Sequence, residues 1–304
     1  MKLKAFGLEL RIWKLLGEDQ YIIVNLPQGL GDILQFLMHL EGYKKLHPGK
    51  KVAVVVTKPH FLELVQMYKS VVDKVLYLSP EQTKMMEKGR YGGEFKSGWW
   101  RIYDVTSPRL YLHYAVMAAY GIPSNTPAFI PEIKLTKKKM RKLERLGIFS
   151  ENTVIIAPEA VSCDETVTQD VWLNVASYLE TEGYKVFFNS RNEAYGRERL
   201  LFLPLWETVE AVMAGNGFIG YRSGLCDVIA AFTSSRQIVV YPNNMKVGEH
   251  AYILGYDQNP NEKYLEYCSL KNIYPEKEIR ELIYSQDSLF STVKEVFGHG
   301  QDSH

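Results

Sequence analysis

Two apolar periodicities alternate along the chain. Short, nearly unbroken runs at residues 21–26 (YIIVNL), 50–56 (KKVAVVV), 72–78 (VDKVLYL) and 101–105 (RIYDV) read as strands. Between them, residues 30–45, 60–70 and 107–121 repeat apolar positions every three or four residues, the spacing of helices with one buried face. The β-branched run at 50–56 is apolar almost throughout, which predicts a strand covered on both sides within a parallel sheet. Residues 122–135 (IPSNTPAFIPEIKL) break the rhythm with three prolines and read as a linker. A basic helix at 136–147 follows, and then the alternation restarts. Strands are expected at 152–158, 184–189, 199–204, 217–222 and 236–242, with helices at 169–183, 205–215 and 223–234. A long amphipathic helix is expected over 276–297. Strand–helix alternation means crossover connections and an α/β fold.

The pattern therefore predicts two doubly wound α/β halves in tandem, with expected spans 1–134 and 135–275 and a cleft between them. Ligands of open α/β sheets sit beyond the carboxyl ends of the strands, so the chemistry belongs in the loops that follow strands.

Composition narrows the class. At 304 residues, 46% hydrophobic and 23% charged, the chain has the make-up of an ordinary globular protein large enough for two cores. A net charge of +1 gives no strongly basic footprint for nucleic acid. The three cysteines, Cys163, Cys226 and Cys268, are odd in number and far apart, which fits a reducing, cytoplasmic setting and neither a disulfide framework nor a zinc pattern. No run approaches the roughly 20 apolar residues of a membrane span, and Glu9, Arg11 and Lys14 interrupt any signal-peptide core at the start.

Several motifs carry candidate chemistry. Residues 215–220 (GNGFIG) match G-x-G-x-x-G in letters, but they follow a helix and enter a strand, the reverse of a dinucleotide fingerprint. There is no G-x-x-x-x-G-K-[ST] loop, no H-E-x-x-H and no Asp-x-Asp pair after a strand, so neither a P-loop nor a protein-built metal site is expected. The turn Arg222-Ser223-Gly224-Leu225, between a strand and a helix, offers helix N-terminal N–H groups to an anion, with Arg222 beside them to grip phosphate. An N-cap serine with Arg222 in a salt bridge is the equal alternative. Gly29, Gly31 and Asp32 stand at the first strand–helix junction (NLPQGLGDILQF, 25–36). Asp32 is either a residue that favours the helix dipole or a general base, with the two glycines letting a substrate approach.

The segment GFIGYRSGLCDVIAAFTSSRQIVVYP resembles the diphosphate-binding segment of the heptosyltransferase-type glycosyltransferases, family nine, and Gly31-Asp32 matches the Gly-Asp pair of their N-terminal loop. The strand, Trp-containing helix, strand and glutamate between 154 and 193 are similar too. The resemblance implies the GT-B fold, two facing Rossmann-like domains with the final segment, 276–304, packing back on the first, and metal-independent, cofactor-free transfer of a sugar from a nucleotide diphosphate donor to a hydroxyl of a glycan or glycolipid. Bacterial surface polysaccharide synthesis is the implied setting. It implies Asp32 as the base, and Arg222, Ser223, Gly224 and Leu225 on the donor diphosphate. Thr168 is either a further phosphate donor or only a cap residue, and Glu193, after a strand, is either an acceptor for ribose hydroxyls on the donor or a solvated surface charge beside Arg191 and Arg197. Where the family has an acid, Ser and His, this chain has Arg222, Cys226 and Asp227, and Thr168-Gln169 stand where a lysine is usual. A non-catalytic nucleotide-sugar-binding protein, an epimerase and a fucosyl-type transferase are the alternatives on the same fold. The seven Lys/Arg between Lys134 and Arg145 offer a peripheral contact with anionic lipid at the inner membrane face, against the more ordinary reading of a solvated helix face.

Overall fold

The structure is a computed structural model, and it describes residues 2–16, 21–26, 29–87, 112–149, 152–160, 166–245 and 259–298. The expected strand at 101–105, the opening of the helix at Ser107 and Pro108, the glycine-rich stretch at 88–100 and Cys163 lie outside the described residues. The chain divides into two compact units, Met1–Pro131 and Glu132–His304. Elements are numbered in chain order among the described residues.

In the first unit β1 (Tyr21–Asn25), β2 (Lys51–Val56) and β3 (Lys74–Tyr77) form a parallel sheet in that order. The central strand is β2, and Val52 to Val56 have no exposed surface, as its unbroken β-branched run requires. Parallel neighbours need crossovers, supplied by α2 (Leu30–Met38) and α3 (Leu40–Lys45) before β2 and by α4 (Pro59–Met67) after it. The single helix expected over 30–45 is two helices. Its path turns at His39, whose φ of −109° and ψ of 13° leave the helical region.

Two helices here escaped the sequence reading, α1 (Lys2–Leu16) and α5 (Pro80–Glu87), which pack on each other. In α1 the apolar residues Leu8, Ile12 and Leu16 are spaced i, i+4, i+8 and meet Ile23 and Val55 of the sheet, while Arg11 and Lys14 stay exposed. The last helix of the unit, α6 (Leu112–Ala119), packs on α2.

The second unit opens with α7 (Lys137–Arg145). Its sheet contains β4 (Thr153–Ala157), β5 (Lys185–Phe188), β6 (Gly217–Tyr221), β7 (Arg236–Tyr241) and β8 (Ile279–Ile283), all parallel, in the spatial order β5-β4-β6-β7-β8. The crossovers are α8 (Gln169–Thr181), α9 (Leu205–Ala214), α10 (Gly224–Phe232) and α11 (Pro260–Cys268). Trp172 of α8 is fully buried in the core with Tyr221, Phe188 and Ile156. Truncating such a residue to alanine costs about 3–5 kcal/mol.

The expected helix over 276–297 is corrected. Residues Ile279–Ile283 form the fifth strand, and the helix, α12, runs only over Gln286–Phe297. Ile279, Leu282 and Ile283 are spaced like a helical face, but β7 pairs with them residue for residue from Gln237↔Ile279 to Tyr241↔Ile283. The side chain of Ser285 caps α12 by accepting from Ser288 N–H. Residues 199–204 form no strand; Leu200 makes one isolated bridge to Phe188. The final helix packs on α8, β7 and β8 of its own unit. A Cβ at Gly217 would run into the Phe297 ring, and one at Gly220 would lie 2.8 Å from Cys226 Sγ. The glycines of GNGFIG thus serve close packing, and Gly215 ends α9.

Candidate active site

The order β5-β4-β6-β7-β8 fixes where a ligand belongs in the second unit. The chain leaves β4 toward β5 on one side and later leaves β6 toward β7 on the other, so the loops diverge beyond the carboxyl ends of β4 and β6. Such a switch point opens a crevice. Two helices start there, α8 after Thr168 and α10 after Ser223. Tyr221, at the end of β6 and fully buried, ties the two loops together: its hydroxyl lies 3.3 Å from Thr166 N and 3.2 Å from Thr166 Oγ1.

Both N-cap residues are extended and neither hydroxyl caps its helix; Ser223 Oγ has only a long contact, 4.0 Å, to Cys226 Sγ of α10. Ser223, Gly224 and Leu225 are half-buried. The first turn of a helix leaves N–H groups without intrahelical acceptors and carries the positive end of the dipole. The crevice can therefore take an anion.

Arg222 is not part of that surface, which corrects the expectation that it grips phosphate. It is only 5% exposed, and its guanidinium donates to Asp227 Oδ2 at 2.6 Å, Asp227 Oδ1 at 3.1 Å, Ser223 O at 2.8 Å and Cys268 O at 3.2 Å. Although burial opposes the charge, Asp227 and its neighbours hold Arg222 protonated, well above its ordinary range. The planar fork suits a bidentate carboxylate better than any other cation would. The pair locks the turn before α10 to the end of α11. Cys226 is fully buried beside it, and burial pushes its thiol up to about 11, which removes it as a nucleophile.

Glu193 lies in a short 3-10 turn after β5, where its exposed carboxylate accepts from Arg197 Nη2 at 2.9 Å. The surface-charge reading of this residue is the one its geometry favours. Gln169, in the position of the usual lysine, donates to Ala194 O at 2.9 Å and braces α8 against the same turn. A residue the sequence reading passed over is Glu159, two positions beyond β4. Its Oε1 accepts from Ser190 Oγ at 2.5 Å. The signal available was its place, an ionisable residue directly after a strand on the crevice side.

In the first unit, Asp32 is the third residue of α2 and accepts from Gly29 N–H at 3.0 Å through Oδ2. That is the return half of a capping box. Gly29 has an ordinary φ of −70°, so its role is room: a Cβ there would come within 3.1 Å of Asp32 Oδ2. Gly31 is buried, and Asp32 is half-buried. Pro27 and Gln28 of the same loop lie outside the described residues. His39 stacks on His113 of α6 with ring centroids 6.4 Å apart, and burial lowers both imidazoles, His113 to about 4. In α7, Lys139 and Lys142 pair with Glu210 and Glu207 of α9, while Lys137, Lys138, Arg141 and Arg145 stay exposed.

No protein-family profile matches the chain, and no curated protein matches it by sequence. Solved structures do match. A family 9 glycosyl transferase from Veillonella parvula superposes with a TM-score of 0.56 at 11% identity, over 94% of this chain and 92% of that one. The E. coli ADP-heptose LPS heptosyltransferase II gives 0.58 at 12% identity, over 91% and 98%. The E. coli heptosyltransferase WaaC, solved with ADP-2-deoxy-2-fluoro heptose, gives 0.54 at 11% identity, over 90% and 99%. The fold is GT-B.

On the GT-B frame the two departures at 222 and 227 become a single feature. A cation at 222 and an anion at 227 pair with each other in the core, and Arg222 Nε is left without a hydrogen-bond partner among the described residues. Among the described residues, no three His, Cys, Asp or Glu side chains gather to hold a metal ion, and no helix is long and apolar enough to cross a membrane.

Proposed function

We propose that this protein is a glycosyltransferase that moves a sugar from a nucleotide diphosphate sugar to a hydroxyl of a glycan or glycolipid acceptor. The observation that carries the reading is the switch-point crevice of the second unit, with the N-termini of α8 and α10 opening on it and neither the Thr168 nor the Ser223 hydroxyl capping its helix. Support comes also from a GT-B fold matched over nine-tenths of the chain.

In this reading the diphosphate lies on the N–H groups of Gly224 and Leu225, with Ser223 and Thr168 as hydroxyl donors. These groups are fixed before the reaction, so they stabilise the charge that grows on the diphosphate oxygen as the anomeric C–O bond breaks. The acceptor oxygen forms the new bond to the anomeric carbon. Asp32 takes its proton, and the nucleoside diphosphate leaves with the bonding pair. The Arg222–Asp227 pair does not touch the donor in this scheme; it holds the turn that presents the N–H groups.

The second reading is a non-catalytic binding protein for the same nucleotide. It is favoured by one observation, the commitment of an Asp32 oxygen to the Gly29 N–H. Asp32→Asn separates the two, because the asparagine oxygen still caps the helix but takes no proton. Transfer or hydrolysis of the cognate donor should fall by at least about a hundredfold, the scale of a lost general base, with nucleotide affinity unchanged. Turnover that survives the substitution removes Asp32 from the chemistry.

A further inference from the structure

In nucleotide-binding α/β units the ribose is read by an acid at the end of the strand beside the first one. Here that strand is β5, next to β4. Its end carries polar residues whose side chains are otherwise engaged. Asn189 Oδ1 accepts from Leu203 N–H at 3.2 Å, and Asn192 Oδ1 accepts from Ala194 N–H at 3.1 Å. Arg191 stacks on the Phe202 ring at 4.1 Å, and Glu193 is paired with Arg197 in solvent.

Ser190 is engaged too, but with a carboxylate from the loop after β4. It is 1% exposed, and its oxygen accepts from Asn192 N–H at 3.0 Å, so its own proton is directed at Glu159 Oε1, 2.5 Å away. A carboxylate that leaves from the end of β4 is thereby held over the end of β5. Glu159 itself is exposed, and its second oxygen has no partner among the described residues. An open carboxylate repels phosphate and accepts from hydroxyls. The crevice then has two chemically distinct parts: N–H donors at the starts of α8 and α10, and an acceptor at Glu159.

We propose that Glu159, oriented by Ser190, is the ribose reader of this protein, accepting from the 2′- or 3′-hydroxyl of the bound nucleoside diphosphate. The assignment rests on the nucleotide-sugar reading above and names a different residue for the ribose from Glu193. It selects ribonucleotides and plays no part in holding the phosphates.

Binding of ADP, GDP and UDP, of the 2′-deoxy and 3′-deoxy counterparts of whichever binds, and of inorganic pyrophosphate is measured by calorimetry on the full chain and on Glu159→Ala. The ribonucleotide should bind the variant about tenfold or more weakly, as expected for a lost charged hydrogen bond. One deoxy counterpart should bind the wild type with the same deficit and be indifferent to the substitution, and pyrophosphate should bind both proteins alike. Glu159→Ala also takes the acceptor from the buried Ser190 hydroxyl, so its melting temperature is measured beside binding, and Glu159→Gln, which keeps an acceptor there, provides a second, isosteric check with a smaller loss. Equal ribonucleotide affinity in wild type and variant overturns the assignment while leaving the donor site intact. An equal loss of pyrophosphate also overturns it, since the residue would then act on the phosphates. Failure of the wild type to bind any of these three nucleotides, CDP or dTDP overturns the donor reading and this assignment with it.

Discussion

Arg222 and Asp227 are both almost completely buried, and each is tolerable there only because of the other. Truncating one leaves an uncompensated charge in the core. Arg222→Ala and Asp227→Ala should each lower unfolding stability by about 3–5 kcal/mol, while replacing both with apolar residues should recover much of that loss. Urea denaturation measures it. Single variants that each cost less than about 1 kcal/mol would contradict the account of the pair. The sequence displayed both residues and even their joint departure from the family pattern, but not the direction of the guanidinium. That direction depends on the buried carboxylate five positions on and on the Cys268 carbonyl from a distant helix, and neither proximity is visible along the chain. Asp32 was legible as a cap or a base from its place at a helix start, and its hydrogen bond to Gly29 N–H leaves both roles standing. Glu159 was not legible as distinct from Glu193, because only the fold brings Ser190 to it.

At the scale of elements, α2 and α6 meet through two imidazoles rather than through carbon alone. His39 and His113 are lowered by burial, and each would repel the other if both were charged. A histidine whose folded pKa lies below its unfolded value binds fewer protons in the native state. Its contribution is fully present above the unfolded value of 6.5 and is lost as pH falls toward about 4, the folded value for His113. The melting temperature should therefore drop between pH 7 and pH 4.5, and His113→Asn should flatten part of that slope. An unchanged slope in the variant would assign the acid sensitivity elsewhere. Strands with apolar runs, such as β2, β4 and β7, were readable from the sequence because burial on both faces leaves little room for polar residues, Thr153 and Gln237 being buried exceptions. Strand β8 was not, since an edge strand with Arg280 and Glu281 between its apolar residues has the spacing of a helix. Only its pairing with β7 decides the matter.

For the whole molecule, the alternation of strands and helices with a proline-rich break gave the two-unit α/β architecture, and the order of short motifs gave GT-B despite identities of only 11–12% to the solved structures it matches. What the sequence did not give is the switch point, because strand order is a property of the sheet. That order is what makes the α8 and α10 N-termini and Glu159 neighbours of one crevice. The central claim is that this crevice binds a nucleoside diphosphate, and thermal unfolding with ADP, GDP, UDP, CDP and dTDP tests it most directly. A ligand that binds only the native state at a hundredfold excess over its Kd adds about 2.7 kcal/mol. At least one nucleotide should raise the melting temperature by several degrees in a concentration-dependent manner. If none of the five shifts it at millimolar concentration, the crevice is not a nucleotide site and the proposed transferase activity loses its donor.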